Sequence, residues 1–314
     1  QTAPRARAAQ LRRRAREAAE PHDGVLSREE LRALAVDHRM IRREVAAERW
    51  RLHGIQTVGV HTGPLGTEAS RWRAVWEVGL DVAALDGATA LDAAGLRGYA
   101  DGELHVSVRH TARVRAVDGV RLHKVVRRLP DEVLTNGVPR VRPAVAAVRA
   151  AHWASTDRQA ALVLAMPVQQ RIVTGAQLVE VVRAAPGRNR RALVGVLASD
   201  IVDGAHSLGE LDLVEGCRRR GLPEPRRQAV RRLPGGTAYL DLEWEEAGLV
   251  VEVDGSGHVS GLQGMLDDLR QNAVSLGDEL VLRVSLLGWR LQPQAYLDQI
   301  CAGYFARLGR RRSA

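Results

Sequence analysis

Two segments near the C-terminus carry the hydrophobic pattern of paired strands. The segment Tyr239–Trp244 alternates polar and apolar residues, and Leu249–Val253 is a run dominated by leucine and valine. The four residues between them, Glu245–Gly248, have the length and the glycine of a hairpin loop. The pattern therefore predicts an antiparallel hairpin in which Trp244 lies opposite Leu249.

Acidic residues occupy one face of this predicted hairpin. Side chains two apart in a strand share a face, so Tyr239, Asp241 and Glu243 point one way, and Glu252 and Asp254 share a face of the second strand. Counting back from the loop places Asp241 opposite Glu252, with Cβ atoms about 5 Å apart. Two carboxylates this close repel unless a cation or a proton lies between them. The pair is a candidate Mg²⁺ or Mn²⁺ site, and the alternative is a solvated acidic face.

The N-terminal pattern predicts helices followed by a second hairpin. Residues 5–20 are good helix formers with a basic face, and Ser27 with Glu30 forms a capping box for a short helix. A second helix, from about His38 to Ala47, buries Ile41 and Val45. The basic residues that this helix leaves facing outward are His38, Arg39, Arg42 and Arg43.

A strand from Trp50, a turn at His53-Gly54 and a returning strand Ile55–Val60 complete this segment. The order of helices and hairpin is that of a winged helix-turn-helix, in which the second helix of the pair enters the major groove of DNA. The outward basic residues, together with Arg51 in the hairpin, are therefore candidate DNA-binding residues.

The segment Gly24–Leu31 (GVLSREEL), followed by a basic helix and a Trp-Arg-containing hairpin, resembles the N-terminal domain of abortive-infection (AbiEi-type) antitoxins. The resemblance is confined to residues 1–64 and implies a DNA-binding domain. It also implies a toxin as a candidate partner. The alternative is that the helix pair contacts another protein and that the arginines only face solvent.

The middle of the chain, after a linker marked by Pro64 and Gly66, is less regular. Helices are predicted at residues 68–85, 88–96, 141–151, 156–166 and 175–184, with a further helix that begins near Arg188 and ends near Asp203. Strands are predicted at residues 103–108 and 120–127. The three histidines of this region, His105, His110 and His123, fit no metal template.

The C-terminal pattern is helix, hairpin, helix, strand, helix. Helices are predicted at residues 207–220, 262–276 and 294–308, and a hydrophobic strand at residues 279–285. A strand, a helix and a second strand of these lengths predict a crossover connection and a parallel strand pair. The order helix, antiparallel hairpin, helix, strand is the common core of the PD-(D/E)xK nucleases.

Residues 207–289 resemble the very-short-patch-repair (Vsr)-like endonuclease domain. The matching residues, in chain order, are Ser207 and Glu210, Gly221-Leu222-Pro223-Glu224-Pro225, Asp241 with Trp244, Val251-Glu252-Val253-Asp254-Gly255, His258, Asp267 with Arg270, and Val281-Leu282-Arg283.

The resemblance implies a role for each polar residue of this set. Asp241 and Glu252 would be metal ligands, with Glu210 and Asp254 as supporting carboxylates. His258 would donate a proton or position water. Two arginines, Arg270 and Arg283, could bind the phosphate, although Arg270 could equally form a structural pair with Asp267.

The chain departs from the nuclease pattern at the third motif position. Lysine is usual there, and this chain has Asp254. Because Lys124 is the only lysine, catalysis would depend on His258 or an arginine.

Composition narrows the choice of partner and compartment. A formal net charge of +9 indicates a polyanionic partner, most simply nucleic acid. The two cysteines, Cys217 and Cys301, are far apart and predict neither a disulfide framework nor a zinc site. No apolar run reaches transmembrane length. We therefore expect a cytoplasmic protein without a membrane partner.

Together these patterns predict an α+β multidomain protein. The expected domains are a winged helix-turn-helix at residues 1–64, a mixed α/β middle region at 65–204 and a PD-(D/E)xK (Vsr-like) α/β domain at 205–314. The expected function is that of a metal-dependent endonuclease, a hydrolase that binds double-stranded DNA in repair or phage defence. The alternatives are a non-catalytic, antitoxin-like transcriptional regulator that keeps the nuclease fold as a scaffold, with a toxin or repair protein as partner, and a module that binds structured RNA.

Overall fold

The computed structural model describes residues 2–99, 102–185, 187–203, 208–233, 236–254 and 280–313. The chain divides into two compact units, Gln1–Arg149 and Ala150–Ala314. Both units contain helices and strands, so the mixed α/β class is confirmed. The finer division into three domains stays a prediction.

The N-terminal unit begins with three helices and a small sheet. The elements in chain order are α1 (Thr2–Ala19), a 3-10 helix (Glu20–His22), β1 (Val25–Ser27), α2 (Arg28–Ala33), α3 (His38–Ala46), β2 (Arg51–Leu52) and β3 (Thr57–Gly59). The strands pair in the order β1-β3-β2, all antiparallel. Their core gathers apolar residues from each helix, including Ala15, Leu31, Ile41 and the fully buried Trp50.

Helix α4 (Thr67–Val78) packs against β1 through an aromatic cluster. The rings of Trp72 and Trp76 stack with centroids 5.2 Å apart, and the His22 ring lies 4.5 Å from Trp72. The sequence pattern predicted one helix over residues 68–85. That prediction is wrong beyond Val78, because Gly79 adopts φ 131°, which ends the helix.

The remainder of the N-terminal unit is a five-stranded sheet with helices. The further elements are β4 (Ala84–Leu85), α5 (Gly87–Ala93), β5 (Leu104–Arg109), β6 (Val120–Val125), β7 (Val133–Leu134), β8 (Arg140–Val141) and α6 (Pro143–Trp153), which crosses into the second unit. The strand order is β6-β5-β4-β8-β7. The sequence placed Val141 in a helix, but it pairs with Val133 in the sheet, and Pro143 opens the helix instead.

A buried ionic network joins this sheet to α6. The carboxylates of Asp86 and Glu132 are 0% and 2% exposed, and both accept hydrogen bonds from the Arg149 guanidinium at 2.9 Å. A second arginine, Arg128, binds Glu132 at 2.8 Å and Ser107 O at 2.9 Å. Breaking a buried pair of this kind typically costs about 3–5 kcal/mol.

The C-terminal unit begins with helices. They are α7 (Asp157–Gln169), α8 (Gly175–Ala184), α9 (Arg191–Asp203) and α10 (Leu208–Arg219). Helix α8 starts with a capping box of Thr174 and Gln177 and packs on α9. These helices agree with the sequence pattern to within a few residues, and Gln169 rather than Met166 ends α7.

A four-stranded sheet follows, in the order β12-β11-β10-β9. Its elements are β9 (Arg226–Leu233), β10 (Gly236–Trp244), β11 (Leu249–Asp254), β12 (Leu280–Ser285), α11 (Leu286–Leu291) and α12 (Pro293–Ser313). The pair β11–β12 is parallel and the other two pairs are antiparallel, so the predicted parallel pair is confirmed. The predicted helix at residues 262–276 lies outside the described residues.

One face of this sheet packs on helices. Leu242, Trp244 and Val251 are at most 1% exposed and pack with residues of α10, α11 and α12. The indole N–H of Trp244 donates to the carbonyl of Pro223 at 2.8 Å, which satisfies its polar atom inside the core. The acidic residues of the hairpin therefore belong to the opposite face.

Candidate nucleic-acid interface and candidate metal centre

Helix α3 is fixed at its start by a side-chain cap. The Asp37 carboxylate accepts a hydrogen bond from Met40 N at 2.8 Å, which satisfies one of the free N–H groups of the first turn. The preceding helix has the predicted capping box, since Glu30 N donates to Ser27 Oγ at 3.1 Å and Ser27 N to Glu30 Oε2 at 2.8 Å. Buried Met40 and Ile41 hold the inner face of α3.

The outer face of α3 is basic. His38, Arg39, Arg42 and Arg43 are all exposed, as the pattern predicted. Positions three and four apart share one face of a helix, so these cations form a single surface. Arg51, at the start of β2, is also exposed.

A buried carboxylate on α3 escaped the sequence reading. Glu44 has a side chain that is 0% exposed, with Arg12 Nη1 at 3.2 Å and Arg49 Nε at 2.6 Å. Burial by itself raises the pKa of Glu44, but the hydrogen bonds and charges of Arg49 and Arg12 outweigh it and hold that pKa below its usual range. The available signal was helical spacing, since position 44 shares a face with Met40 and Ile41.

The hairpin β2–β3 is clamped from α4. One Glu77 carboxylate accepts hydrogen bonds from the backbone N–H groups of Ile55, Gln56 and Thr57 and from the Thr57 hydroxyl, each at 2.8 Å. Arg73 Nε donates to the His53 carbonyl at 2.6 Å. These contacts fix the loop while the Ile55 side chain stays 62% exposed.

The C-terminal hairpin has the predicted loop and register. Residues 245–248 form the turn, and Trp244 pairs with Leu249. The next pairs are Glu243 with Val250 and Leu242 with Val251, which leaves Asp241 and Glu252 on the face opposite to the core. Both are half-buried.

Asp241 is oriented by the neighbouring strand. Its Oδ2 atom accepts a hydrogen bond from Val253 N at 2.8 Å. The carboxylate is thereby turned toward β11, the strand that carries Glu252. A carboxylate has acceptor capacity on both oxygens, so this bond leaves the group able to bind a cation.

Glu252 lies beside a cation of the adjacent strand. The parallel register pairs Glu252 with Arg283, and Arg283 Nε lies 3.5 Å from Glu252 Oε2. Both side chains are partly exposed, at 36% and 52%. The structure thus joins a predicted metal ligand to a predicted phosphate-binding residue.

The other predicted site residues are less closely defined. Glu210 lies in α10 and Asp254 ends β11, but their side chains are outside the described part of the chain. His258 and Arg270, with its neighbour Asp267, also lie outside the described residues. Within the described ranges, no group of three or more histidine, cysteine or acidic side chains could hold one metal ion.

The donor chemistry of Asp241 and Glu252 fits a hard divalent cation, because Mg²⁺ and Mn²⁺ prefer carboxylate oxygens. Mg²⁺ commonly keeps several waters and uses only one or two protein carboxylates. The two side chains could therefore hold Mg²⁺ or Mn²⁺.

Two histidines of the middle region are brought together. His105 Nδ1 lies 2.9 Å from His123 Nε2, and the rings stack with centroids 5.0 Å apart. Their strands β5 and β6 are adjacent, which sequence spacing did not reveal.

No protein-family model matches the chain, and no curated protein matches it. Among the described helices, none combines the length and apolar character needed to cross a membrane.

Proposed function

We propose that this chain binds double-stranded DNA through α3 and the β2–β3 hairpin, and that its C-terminal sheet is a metal-dependent endonuclease. The observation that carries the proposal is the exposed arginine face of α3, the second helix of the pair α2–α3. Asp37 caps the start of this helix, and the β2–β3 hairpin that follows is held by Glu77. The order of these elements supports a winged helix-turn-helix of the AbiEi type.

DNA binding follows from the chemistry of the α3 surface. An α-helix fits the major groove, and arginine can make paired hydrogen bonds to guanine or to phosphate. Arg39 and Arg42 would enter the groove, with Arg51 of the hairpin beside the backbone. A net charge of +9 favours association with a polyanion.

The nuclease proposal rests on the acidic face of the β10–β11 hairpin. Asp241, held by the Val253 N–H, and Glu252 would together hold Mg²⁺ or Mn²⁺. Such an ion would neutralise charge on the phosphate and activate water. Arg283 would bind a phosphate oxygen, and His258 would donate a proton to the leaving oxygen or position water. The antiparallel hairpin β10–β11 and the parallel pair β11–β12 support a PD-(D/E)xK domain of the Vsr-like type.

A second candidate function is favoured by the contact between Glu252 and Arg283. A carboxylate paired with arginine is already neutralised, as expected of a sheet retained as a scaffold. In that case the chain would be a non-catalytic, antitoxin-like regulator, and its partner would be a toxin or repair protein.

A cleavage assay separates the two functions. Supercoiled, linear and mismatched DNA would be incubated with Mg²⁺ or Mn²⁺ and the wild type, Asp241→Asn or Glu252→Ala. The control Glu245→Ala removes a carboxylate of the same hairpin that is 73% exposed. We expect the wild type and the control to cut and the two site variants to fail. Equal cutting by all four, or none by the wild type, would remove the catalytic proposal.

DNA binding has an independent test. The double variant Arg39→Ala/Arg42→Ala should weaken binding of duplex DNA, most clearly at low salt. Unchanged affinity in fluorescence anisotropy would refute a role of α3. A matched control is Arg113→Ala/Arg115→Ala, which removes two exposed arginines of the same unit without touching α3.

A further inference from the structure

We propose that Arg12, Arg43 and Arg49 form a phosphate-binding cluster around the buried carboxylate of Glu44. This cluster binds phosphates of the DNA backbone beside the groove that α3 enters. The inference rests on the DNA-binding function proposed above. It extends the interface to α1 and to the turn after α3, and it makes Glu44 a positioning residue.

The three guanidinium groups converge on one carboxylate from separate segments. Arg12 Nη1 of α1 lies 3.2 Å from Glu44 Oε1, Arg49 Nε of the turn lies 2.6 Å from Oε2, and Arg43 Nε of α3 lies 3.9 Å from Oε1. Glu44 itself is 0% exposed. One acid thus accepts hydrogen bonds from Arg12 and Arg49 and lies within ion-pair distance of Arg43.

The charges do not cancel. Three arginines around one glutamate leave two net positive charges, since arginine stays protonated in proteins. Each guanidinium has five N–H donors in a planar fork, and a single carboxylate cannot occupy fifteen. Their side chains are 28%, 62% and 43% exposed for Arg12, Arg43 and Arg49, so the remaining donors can reach a ligand.

The backbone of the turn after α3 holds Arg49 close to Glu44. The turn after α3 requires a left-handed residue, Glu48 at φ 51°. Arg49 N then donates to the Glu44 carbonyl at 3.1 Å, and the next residue, Trp50, is 1% exposed in the core. Arg49 is therefore held between a rigid turn and a buried anchor, which limits the entropy lost when it binds a ligand.

The ligand chemistry that fits is a phosphate group of a nucleic acid backbone. Guanidinium forks match phosphate oxygens with paired, charge-assisted hydrogen bonds. The cluster adjoins the α3 surface because Arg43 belongs to both. In DNA complexes, contacts to phosphates set the register of the protein on the duplex, while groove contacts read the bases.

The experiment measures how DNA affinity depends on salt. Full-length wild type, Arg12→Ala and Arg49→Ala are titrated with a fluorescent duplex at several KCl concentrations. Each lost phosphate contact lowers the slope of log K against log salt by about 0.9, which corresponds to about eightfold weaker binding at about 0.1 M salt. The control Arg14→Ala removes an exposed arginine about 200° around the same helix. We expect its slope to stay within about a third of a unit of the wild type.

Two further variants test positioning. Glu44→Gln removes a negative charge, so simple electrostatics predicts tighter DNA binding. If Glu44 positions the arginines, the variant should instead bind DNA more weakly, with a smaller slope of log K against log salt. Arg49→Lys keeps the charge without the fork and should recover part of the slope but not the full affinity. Thermal denaturation of each variant excludes unfolding as the cause.

The outcomes separate this proposal from the one on which it rests. If the wild type binds no DNA, or Arg39→Ala/Arg42→Ala has no effect, the α3 interface is wrong. If that double variant weakens binding but Arg12→Ala and Arg49→Ala match Arg14→Ala, the cluster alone is refuted. Inorganic phosphate at matched ionic strength should not displace the duplex, and displacement would assign the cluster to free anions instead.

Discussion

The clamp on the β2–β3 hairpin predicts a specific effect of changing Glu77. One carboxylate accepts four hydrogen bonds at 2.8 Å from the loop. Glu77→Gln keeps the shape, and its amide oxygen can replace Oε1, which accepts three of the four bonds. Its NH₂ group then faces the Ile55 N–H in place of Oε2, so that bond is lost, and the other three no longer have a charged acceptor. Hydrogen bonds to a charged group contribute about 1.5–3 kcal/mol each, so we expect a loss of about 3 kcal/mol.

The assay combines stability, exchange and binding. For a unit of this size, about 3 kcal/mol corresponds to a melting temperature about 6–12 °C lower. Amide exchange should accelerate most at Ile55, whose N–H loses its acceptor, and less at Gln56 and Thr57, whose bonds to Oε1 are weakened. DNA affinity should fall, because the hairpin no longer has one conformation.

Asp81→Asn is the matched control, since it removes the same charge at an exposed position just after α4. Both variants make the protein more positive, and that alone would strengthen DNA binding. The reasoning fails if Glu77→Gln melts within about 2 °C of Asp81→Asn, or if it binds DNA at least as tightly.

Three further predictions follow from buried groups. Arg149→Met leaves two buried carboxylates without their shared cation and should lower the free energy of unfolding by about 3–5 kcal/mol, measured by denaturant unfolding. A decrease of less than about 1 kcal/mol would contradict a stabilising role of the network. The lowered pKa of Glu44 means that its pairing stabilises the fold above the unfolded pKa of about 4.3 and is lost as pH falls through the folded pKa. The stability difference between wild type and Glu44→Gln should therefore shrink in acid. Burial raises the pKa of the Cys217 thiol to about 12, so alkylation of the native protein should modify Cys301 first.

Local signals made part of the fold predictable. The capping box of Ser27 and Glu30 lies within four residues, and the loop Glu245–Gly248 fixes its own register, so both could be read from spacing. The predicted pairing of Trp244 with Leu249 is confirmed for the same reason.

Strands without a local alternation pattern, or with distant partners, were missed. Strand β9 carries four arginines in RRQAVRRL, a composition that lacks strand alternation, although its partner β10 is the next strand along the chain. The short strand Ala84–Leu85 depends on neighbours at Ser107 and Arg140.

The residues of the candidate sites also divide into those that local sequence spacing predicts and those that depend on contacts between separate elements. Exposure of Arg39 and Arg42 follows from helical periodicity, which is local. The inward position of Glu44 also follows from helical periodicity, but its pairing with Arg12 spans thirty-two positions, and the orientation of Asp241 depends on the Val253 amide. Neither contact has a signature in residue spacing, because each is made only when separate elements pack.

The stacked tryptophans of α4 give the N-terminal unit an optical label of its own. Two indoles with centroids 5.2 Å apart couple their electronic transitions, which produces a paired band of opposite signs in the circular dichroism spectrum. Trp72 and Trp76 belong to the same unit as α3. This band can therefore follow the order of α4 during thermal unfolding without any attached dye.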